Sequence, residues 1–374
     1  MVLRNLTFAR ARGRGRRTSL LATALLGSFL APGVSSAQAP PLTSASKAGR
    51  QVLQEEITPA LRLAVARAFR HLAAKQNQTG DFDKNYPVAV NALAGLAFLS
   101  GGHTLRAGGE HTEVLRRGTM ALLARQNAKG YFDDGESRMY GHGFATLYLA
   151  ELYGTSAYRE KDLRRALEAA VRVIEGSQSG DGGWDYDPDR QFSIGVREWG
   201  ASDTSITVCQ TMALRAARNL GILVDRRVVD NAQRYIEGMQ NEDGGFSYRR
   251  QRATIFRDTS SFPRSAAGVC ILYSLARYNT EGLRRGFEYL KKNYRLPFTN
   301  EFPFYAHYYC AQAMFQAGGR SWDEYFAWIR DKLIKEQEAD GGWPSSLLEN
   351  PTQSTAMGLI ILQLPYRFLP IHER

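Results

Sequence analysis

The chain has 374 residues, with 48 Lys and Arg against 37 Asp and Glu, a formal charge of +11. Six of the arginines (Arg4, Arg10, Arg12, Arg14, Arg16 and Arg17) fall in the first 37 positions, which hold no acid, so without them the charge falls to +5. That balance leaves no basic stripe for nucleic acid, and three cysteines (Cys209, Cys270, Cys310), each in an apolar helical run, read as buried thiols rather than a disulfide framework.

In chain order, residues 1–37 come first: the arginines, an apolar run from Leu20 to Leu30, then small residues ending at Ser35-Ser36-Ala37. This is the order of an export signal cut before Gln38. The pair Arg16-Arg17 allows a twin-arginine signal as well as an ordinary secretory one. The apolar run is short for a membrane span, so the sequence predicts no transmembrane segment after signal removal. The expected place is the periplasm or the exterior, with membrane association left open. Residues 38–57 are polar, small or Pro-containing and read as a linker, and 58–374 read as the folded domain.

Two kinds of helical pattern then alternate. Arg226 to Met239 places Val228, Val229, Ala232, Tyr235 and Ile236 on one face, whereas Ile206 to Leu220 is apolar nearly all round. A helix with a charged face lies outside and one without it lies inside. Outer helices are expected at 60–75, 111–125, 160–177, 226–239, 280–292 and 321–336. Inner ones are expected at 88–100, 142–153, 204–219, 265–277, 305–317 and 352–363.

Between outer and inner helices sits a recurring block. Its full copies are Gln178-Ser179-Gly180-Asp181-Gly182-Gly183-Trp184, Gln240 to Phe246 and Gln337 to Trp343; looser ones run from Gln76 to Phe82 and from Gln126 to Phe132. The starts at 76, 126, 178, 240 and 337 are 50, 52, 62 and 97 residues apart, the last gap close to two periods. Such spacing marks a repeat architecture. A degenerate turn with Pro297 and Phe298 is expected near 293–299, where a sixth block is missing. In the block, Gly-Gly permits a sharp turn, Asp accepts from nearby N–H groups, the Gln amide bonds orphan carbonyls of its own helix or a neighbouring helix end, and the aromatic packs between hairpins.

A Gln…Gly-Trp block repeated about every 50 residues between helical hairpins resembles the repeats of squalene and terpene cyclases. The β subunits of protein prenyltransferases look similar. The resemblance covers about 60–370 and implies an all-α fold, an α6/α6 toroid of about six helical hairpins. It implies that a cyclase would carry Asp-x-Asp-Asp-Thr-Ala to start a carbocation cascade; here the segment is Ala201-Ser202-Asp203-Thr204-Ser205, where only Asp203 and Thr204 correspond. Asp203 is therefore the candidate catalytic acid, with a helix cap as its other reading. The prenyltransferase zinc site would need an Asp-x-Cys pair with a distant His. His307 stands in Phe304 to Cys310, but the pair is absent, so no metal and no cofactor are expected. The Cys-Gly-Glu-Gln of thioester domains is absent too.

The toroid also implies that inner-helix starts converge on one face, where helix N-termini favour anions. This gives Tyr140, His142, Thr204, Arg264, Tyr305, His307 and Tyr309 as candidate ligand-binding residues, with Phe98, Phe144, Tyr148 and Phe315 deeper, where they either line an apolar cavity or fill the ring as core. Asp185, Asp187 and Asp189 form an acidic loop that reads as a solvated turn or a calcium site. The expected function is an exported toroid holding an isoprenoid or other lipid ligand in its central cavity. The alternatives are a non-catalytic envelope scaffold for a peptide, glycan or protein, and a glycan-active toroid enzyme. The sequence leaves open whether it is an enzyme at all; if it is one, it is cyclase- or prenyltransferase-like.

Overall fold

The computed structural model describes residues 55–106, 108–155, 160–189, 202–248, 259–295, 297, 302–344 and 349–373, all within one compact unit spanning 47–374. The expected export signal at 1–37 and most of the linker lie outside the described residues. Among those described, no helix is long and apolar enough to cross a membrane.

Among the described residues twelve α-helices run from Pro59 to Gln363. They are α1 (Pro59–Lys75), α2 (Pro87–Ser100), α3 (Thr112–Leu123), α4 (Arg138–Thr155), α5 (Glu160–Gly176), α6 (Thr204–Asn219), α7 (Arg226–Glu237), α8 (Phe262–Ser274), α9 (Glu281–Asn293), α10 (Pro303–Ala317), α11 (Gly319–Glu336) and α12 (Pro351–Gln363). Even-numbered helices form the inner layer: α6 buries every residue from Thr204 to Ala217 except Arg215. Odd-numbered ones form the outer layer: α7 buries only Val228, Ala232, Tyr235 and Ile236. Each inner helix packs on the next, and α12 packs on α2, so the inner layer closes into a ring. The outer helices α3, α5, α9 and α11 each pack on the inner helix that precedes them, and α1 packs on the last, α12. Most boundaries fall within about two residues of the sequence reading. The exceptions are α4, which starts at Arg138 instead of 142, and α8, which lies three residues upstream.

The joints between hairpins use one hydrogen-bond pattern. In each block the Gln amide donates twice, once within its own turn and once to a carbonyl of the next outer helix. Gln76 Nε2 donates to Gly80 O at 3.0 Å and Val114 O at 2.9 Å. Gln126 reaches Gly130 O and Ala166 O at 3.0 and 2.8 Å, and Gln178 reaches Gly182 O and Val228 O at 2.9 and 2.8 Å. Gln240 bonds Gly244 O and Gly282 O at 3.0 and 2.8 Å. Gln337 bonds Gly341 O at 2.9 Å and Ala64 O of α1 at 2.8 Å. The acceptors lie on the neighbouring helix, and not on the orphan carbonyls at the Gln's own helix end.

The turn must come very close to that neighbour. At Gly182 (φ +95) a Cβ would sit 2.3 Å from Asn231 O, and at Gly341 (φ +92) it would sit 2.6 Å from Arg67 O. No other residue type fits there. Four residues beyond each acceptor carbonyl the outer helix carries Gly118, Ala170, Ala232, Gly286 or Ala68, small enough to admit the turn. Arg67 also donates from α1 to Glu338 O at 2.6 Å, strengthening the joint that closes the ring.

The block aromatic is buried beneath, and its backbone N–H is met by a polar side chain near the start of the following inner helix. Phe82 N donates to Asn91 Oδ1 at 3.0 Å, Trp184 N to Thr207 Oγ1 at 3.1 Å, Phe246 N to Ser265 Oγ at 3.0 Å and Trp343 N to Thr355 Oγ1 at 3.1 Å. In the second joint the acceptor is His142 Nδ1, 3.2 Å from Phe132 N. The other ring nitrogen, Nε2, therefore carries the hydrogen and donates to Ala170 O at 3.1 Å. The indoles of Trp184 and Trp343 reach back to Ile174 O and Leu333 O at 2.7 and 2.8 Å.

Between α9 and α10, where the block is missing, Tyr294 packs edge-on against Tyr325 and Trp328 of α11, with ring centroids 5.3 and 5.2 Å apart. His307, in the position corresponding to His142, meets the Tyr325 hydroxyl at 3.0 Å. Part of the turn expected at 293–299 lies outside the described residues.

On the face formed by the C-terminal ends of the inner helices, a short 3-10 turn, Pro370–His372, packs against α6 and α10. Arg215 fixes it through Glu373 O at 2.6 Å, and buried Glu151 accepts from Ile371 N at 3.4 Å. Burial pushes the Glu151 carboxyl up to about 8.

Two outcomes are expected. Gln337→Ala removes both bonds of this amide, one within its own turn and one across the joint between the two ends of the ring. It should lower the unfolding free energy in urea by about 1–3 kcal/mol, and a loss of only a few tenths would contradict a structural role for this amide. Burial also lowers the His142 imidazole from 6.5 to about 4. Between those values the unfolded chain binds a proton that the folded chain does not. Stability is therefore present above pH 6.5 and lost as pH falls through 4, by about 3 kcal/mol in the limit. His142→Asn keeps an acceptor for Phe132 N, as Asn91 does for Phe82. It should flatten the pH dependence of the urea midpoint by about one proton; an unchanged slope would count against the buried neutral imidazole.

Candidate functional site

The inner-helix starts do face one side of the ring, but at α2, α6 and α10 the anion-attracting end is taken by one of the protein's own carboxylates. Asp134 Oδ2 accepts from Val88 N of α2 at 2.8 Å, and Glu349 accepts from Tyr305 N of α10 at 2.9 Å. Burial works against ionisation of Asp134, yet bonds from Ser137, Val88 and Glu136 hold its carboxyl below the usual range. Asp203 caps α6, with Oδ1 accepting from Ser205 N at 2.7 Å and from Ser205 Oγ at 2.5 Å. At these three helices the expectation of free ends that attract anions is corrected.

Asp203 is fully buried. Its second oxygen, Oδ2, has no hydrogen-bond partner among the described residues. Around it lies a connected set of side chains from α4, α6, α8 and the block turns. The Tyr140 hydroxyl donates to Ser205 Oγ. The Tyr140 ring meets Tyr186 edge-on, centroids 5.9 Å apart, and the Tyr186 and Tyr248 hydroxyls lie 3.0 Å from each other. Arg264 places its guanidinium 5.3 Å from the centre of the Tyr248 ring and donates to Thr259 O at 3.0 Å. From α10, the Tyr305 hydroxyl donates to Ser205 O at 3.5 Å. Burial first, and the Asp203 charge second, raise the Tyr140 and Tyr186 hydroxyls well above 10. These tyrosines are neutral hydrogen-bonding groups.

Below this layer the ring is filled. Tyr305 and Tyr309 meet edge-on at 4.9 Å, and Tyr308 and Tyr309 at 4.8 Å. Tyr308 of α10 reaches Phe144 of α4, a helix from the opposite side of the ring, with centroids 6.2 Å apart. The Tyr309 hydroxyl lies 3.4 Å from Cys209 Sγ. Desolvation pushes that thiol up to about 12, so it is inert at neutral pH. All three cysteines are free and buried.

Of the candidate residues, the structure brings Tyr140, Asp203, Arg264, Tyr305 and Tyr309 together. It does not bring His142 and His307, whose rings serve the joints described above. Burial also drives His307 down to about 3. Thr204 turns outward, donating to Ser247 O at 2.9 Å. The cavity lining expected of Phe98, Tyr148 and Phe315 is corrected as well. Phe98 stacks on Phe69 of α1 at 5.2 Å, the Tyr148 hydroxyl meets Thr119 of α3 at 2.6 Å, and Phe315 packs on Trp322 of α11 at 5.0 Å. An inner helix is apolar on every side, so its pattern carries no sign of which face meets the axis.

Sequence reasoning missed Ser205, Tyr186 and Tyr248. A signal existed for the two tyrosines: each stands two residues after a block aromatic, Trp184 and Phe246. The acidic loop is paired with basic side chains, Arg138 with Asp187 at 3.9 Å and Lys129 with Asp189 at 3.7 Å. Among the described residues no group of three or more His, Cys, Asp or Glu could hold a metal ion.

No protein-family model matches the chain, and no curated protein is similar to it. Solved structures are. The type II terpene cyclase MstE from Scytonema is 14% identical at a TM-score of 0.56, over 83% of this chain and 100% of that one. With its substrate geranylgeranyl dihydroxybenzoate, a variant of the same cyclase aligns at 0.55 and 13% identity, over 83% and 98%. An inactive variant of an α-1,6-mannanase from a Salegentibacter species, bound to α-1,6-mannotetrose, reaches 0.59 at 10% identity, over 82% and 99%. The chain thus has the α/α-toroid fold that terpene cyclases share with glycan-active hydrolases, and at these identities the likeness is one of fold alone.

Proposed function

We propose that this chain is an exported toroid that binds an apolar ligand, an isoprenoid or another lipid tail, at the mouth of its ring above Asp203. The observation that carries this reading is a buried carboxylate oxygen without a hydrogen-bond partner among the described residues, set beside tyrosine rings on the face where the inner helices begin. An aromatic wall with few polar groups suits an apolar ligand with one polar end. The cyclase with the same fold takes a geranylgeranyl substrate, and the first 37 residues carry the export pattern. Because Phe144 meets Tyr308 across the axis, the ligand in this reading sits above that layer and not deep in the ring.

Binding without cyclisation is the form we favour. Asp203 has no second acid beside it to sharpen its acidity, and its Oδ1 is occupied by Ser205. The filled axis favours a second reading, a scaffold that presents the ring face to a peptide, glycan or envelope protein. A glycan-active enzyme needs two facing carboxylates, whereas Asp134 and Glu349 serve as helix caps.

Native mass spectrometry of the purified protein, followed by incubation with squalene and geranylgeranyl compounds, tests these readings. The expected result is a released or captured lipid mass and no cyclised product. Cyclised products abolished by Asp203→Asn would make the chain a cyclase, and a protein that carries and captures no lipid would favour the scaffold.

A further inference from the structure

In the blocks at Gln178, Gln240 and Gln337 the residue before the aromatic is glycine, and a ring from the next outer helix lies over it. A Cβ at Gly183, Gly245 or Gly342 would stand 2.9 Å from Tyr235 of α7, 2.8 Å from Tyr289 of α9 or 2.7 Å from His71 of α1. Each of these rings comes seven residues after the carbonyl that accepts from the block glutamine: Val228, Gly282 or Ala64. The first joint has Ala121 at that position, and its block residue, Asp81, is bonded to Arg125 at 2.8 Å.

The second joint is built differently. Its acceptor carbonyl is that of Ala166, and seven residues on stands Val173. The block supplies the ring instead: Tyr131 replaces the glycine, and Lys129 replaces the aspartate found as Asp181, Asp243 and Asp340. A ring has moved from the helix to the turn, and a cavity of about 580 Å³ is lined by Tyr131, Val173 and the end of α5. At Gly176, the last residue of α5, a Cβ would meet nothing within 4 Å. The volume lies within the range of small-molecule sites.

The lining narrows the ligand. Tyr131 is half-buried, its ring held against His142 with centroids 5.2 Å apart. Burial, and after it the charge of Asp133, holds its hydroxyl above the usual range, so it is a neutral group. Asn127 spends its Oδ1 inside the turn, on Lys129 N at 2.9 Å and Tyr131 N at 3.1 Å, and so offers the cavity its amide N–H donors. Ser177 Oγ donates to Ile174 O at 3.2 Å and offers an acceptor. Lys129 faces Asp189 at 3.7 Å, and Asp133 adds a further carboxylate. An anion would meet Asp133, Asp189 and the negative end of α5. A hydrocarbon would strip water from these polar groups and return no hydrogen bond. A sugar ring satisfies both demands, because its hydroxyls donate and accept while its C–H face packs on an aromatic ring.

We propose that the second joint is a saccharide-binding pocket for neutral hexose units, with Tyr131 as the platform and Asn127, Lys129, Asp133 and Asp189 bonding the hydroxyls. It shares no residue with the Asp203 cluster and does not rest on the reading of an apolar ligand at the mouth.

Saturation-transfer NMR of the full chain with maltotriose, cellotriose, mannotriose and chitotriose, and with trilysine as a cationic control, tests the pocket. At least one of the four sugars is expected to receive saturation, and trilysine none. Gly176→Leu puts a side chain into the cavity and favours the helix, so it should abolish the signal. Tyr131→Ala should weaken binding about tenfold; if that variant does not fold, Gly176→Leu decides alone. No transfer to any of the four sugars overturns the proposal. Sugar binding that survives Gly176→Leu overturns it as well, by moving the site elsewhere on the ring. Trilysine bound in place of the sugars makes the cavity a cation site and overturns the saccharide class. All three results leave the lipid reading as it stands.

Discussion

A primary amide held between two carbonyls is the contact on which this ring depends. Helical hairpins have no ladder of backbone hydrogen bonds to fix one beside the next, and apolar packing alone is non-directional. The Gln of each block supplies direction, because its two N–H groups leave the nitrogen at a fixed angle and reach one turn and one neighbouring helix. Gln178 thereby sets α7 against the end of α5, and Gln337 sets α1 against the end of α11. Glycine at the turn and a small residue on the neighbour are conditions of that short reach, as the near-contact of Gly182 with Asn231 O makes plain.

The same joints determine what stands at the mouth. With each outer helix end pinned, the segment after the block aromatic enters the inner layer from a constant height. The fourth or fifth residue of the next inner helix then meets the aromatic's N–H. Asn91, His142, Thr207, Ser265 and Thr355 all do this. Residues just before and after that position are left to face the mouth, and Asp203, Tyr140 and Tyr305 are among them. Structure and site are therefore in register, offset from one another by one to four residues along the same helices.

That offset explains what could be read from the residues. The hairpin count, the layer of each helix and the closed all-α ring follow from block spacing and amphipathicity, and the looser copies at Gln76 and Gln126 make the same bonds as the full ones. Asp203 was legible through its correspondence with the acidic motif of the cyclases that the repeats resemble. The histidines were legible through their places at the inner-helix starts, yet the role of His142 is that of Asn91 or Thr207 in another guise, a comparison that needs the repeats laid in register. The direction of Phe98, Tyr148 and Phe315 was not legible, because rotation about an inner helix axis is set by packing on neighbours that share its apolar character. Tyr186 and Tyr248 sit in turns, where hydropathy patterning carries no information and only the spacing from the block aromatic marks them.

The bond from Gln337 to Ala64 spans 273 positions of sequence. In an open array of hairpins each new repeat docks on its predecessor and the two ends carry polar caps. Here α1 packs on α12, the last of the described α-helices. During synthesis Phe69 of α1 can stack early on Phe98 of α2, but the packing of α1 on α12 waits until the final hairpin exists, and closing so long a loop is entropically slow. Ring closure is thus a late event in the life of the nascent chain. A chain stopped before α11 and α12 exposes the inner layer at both ends of the arc, a sticky surface that a cell would treat as unfinished.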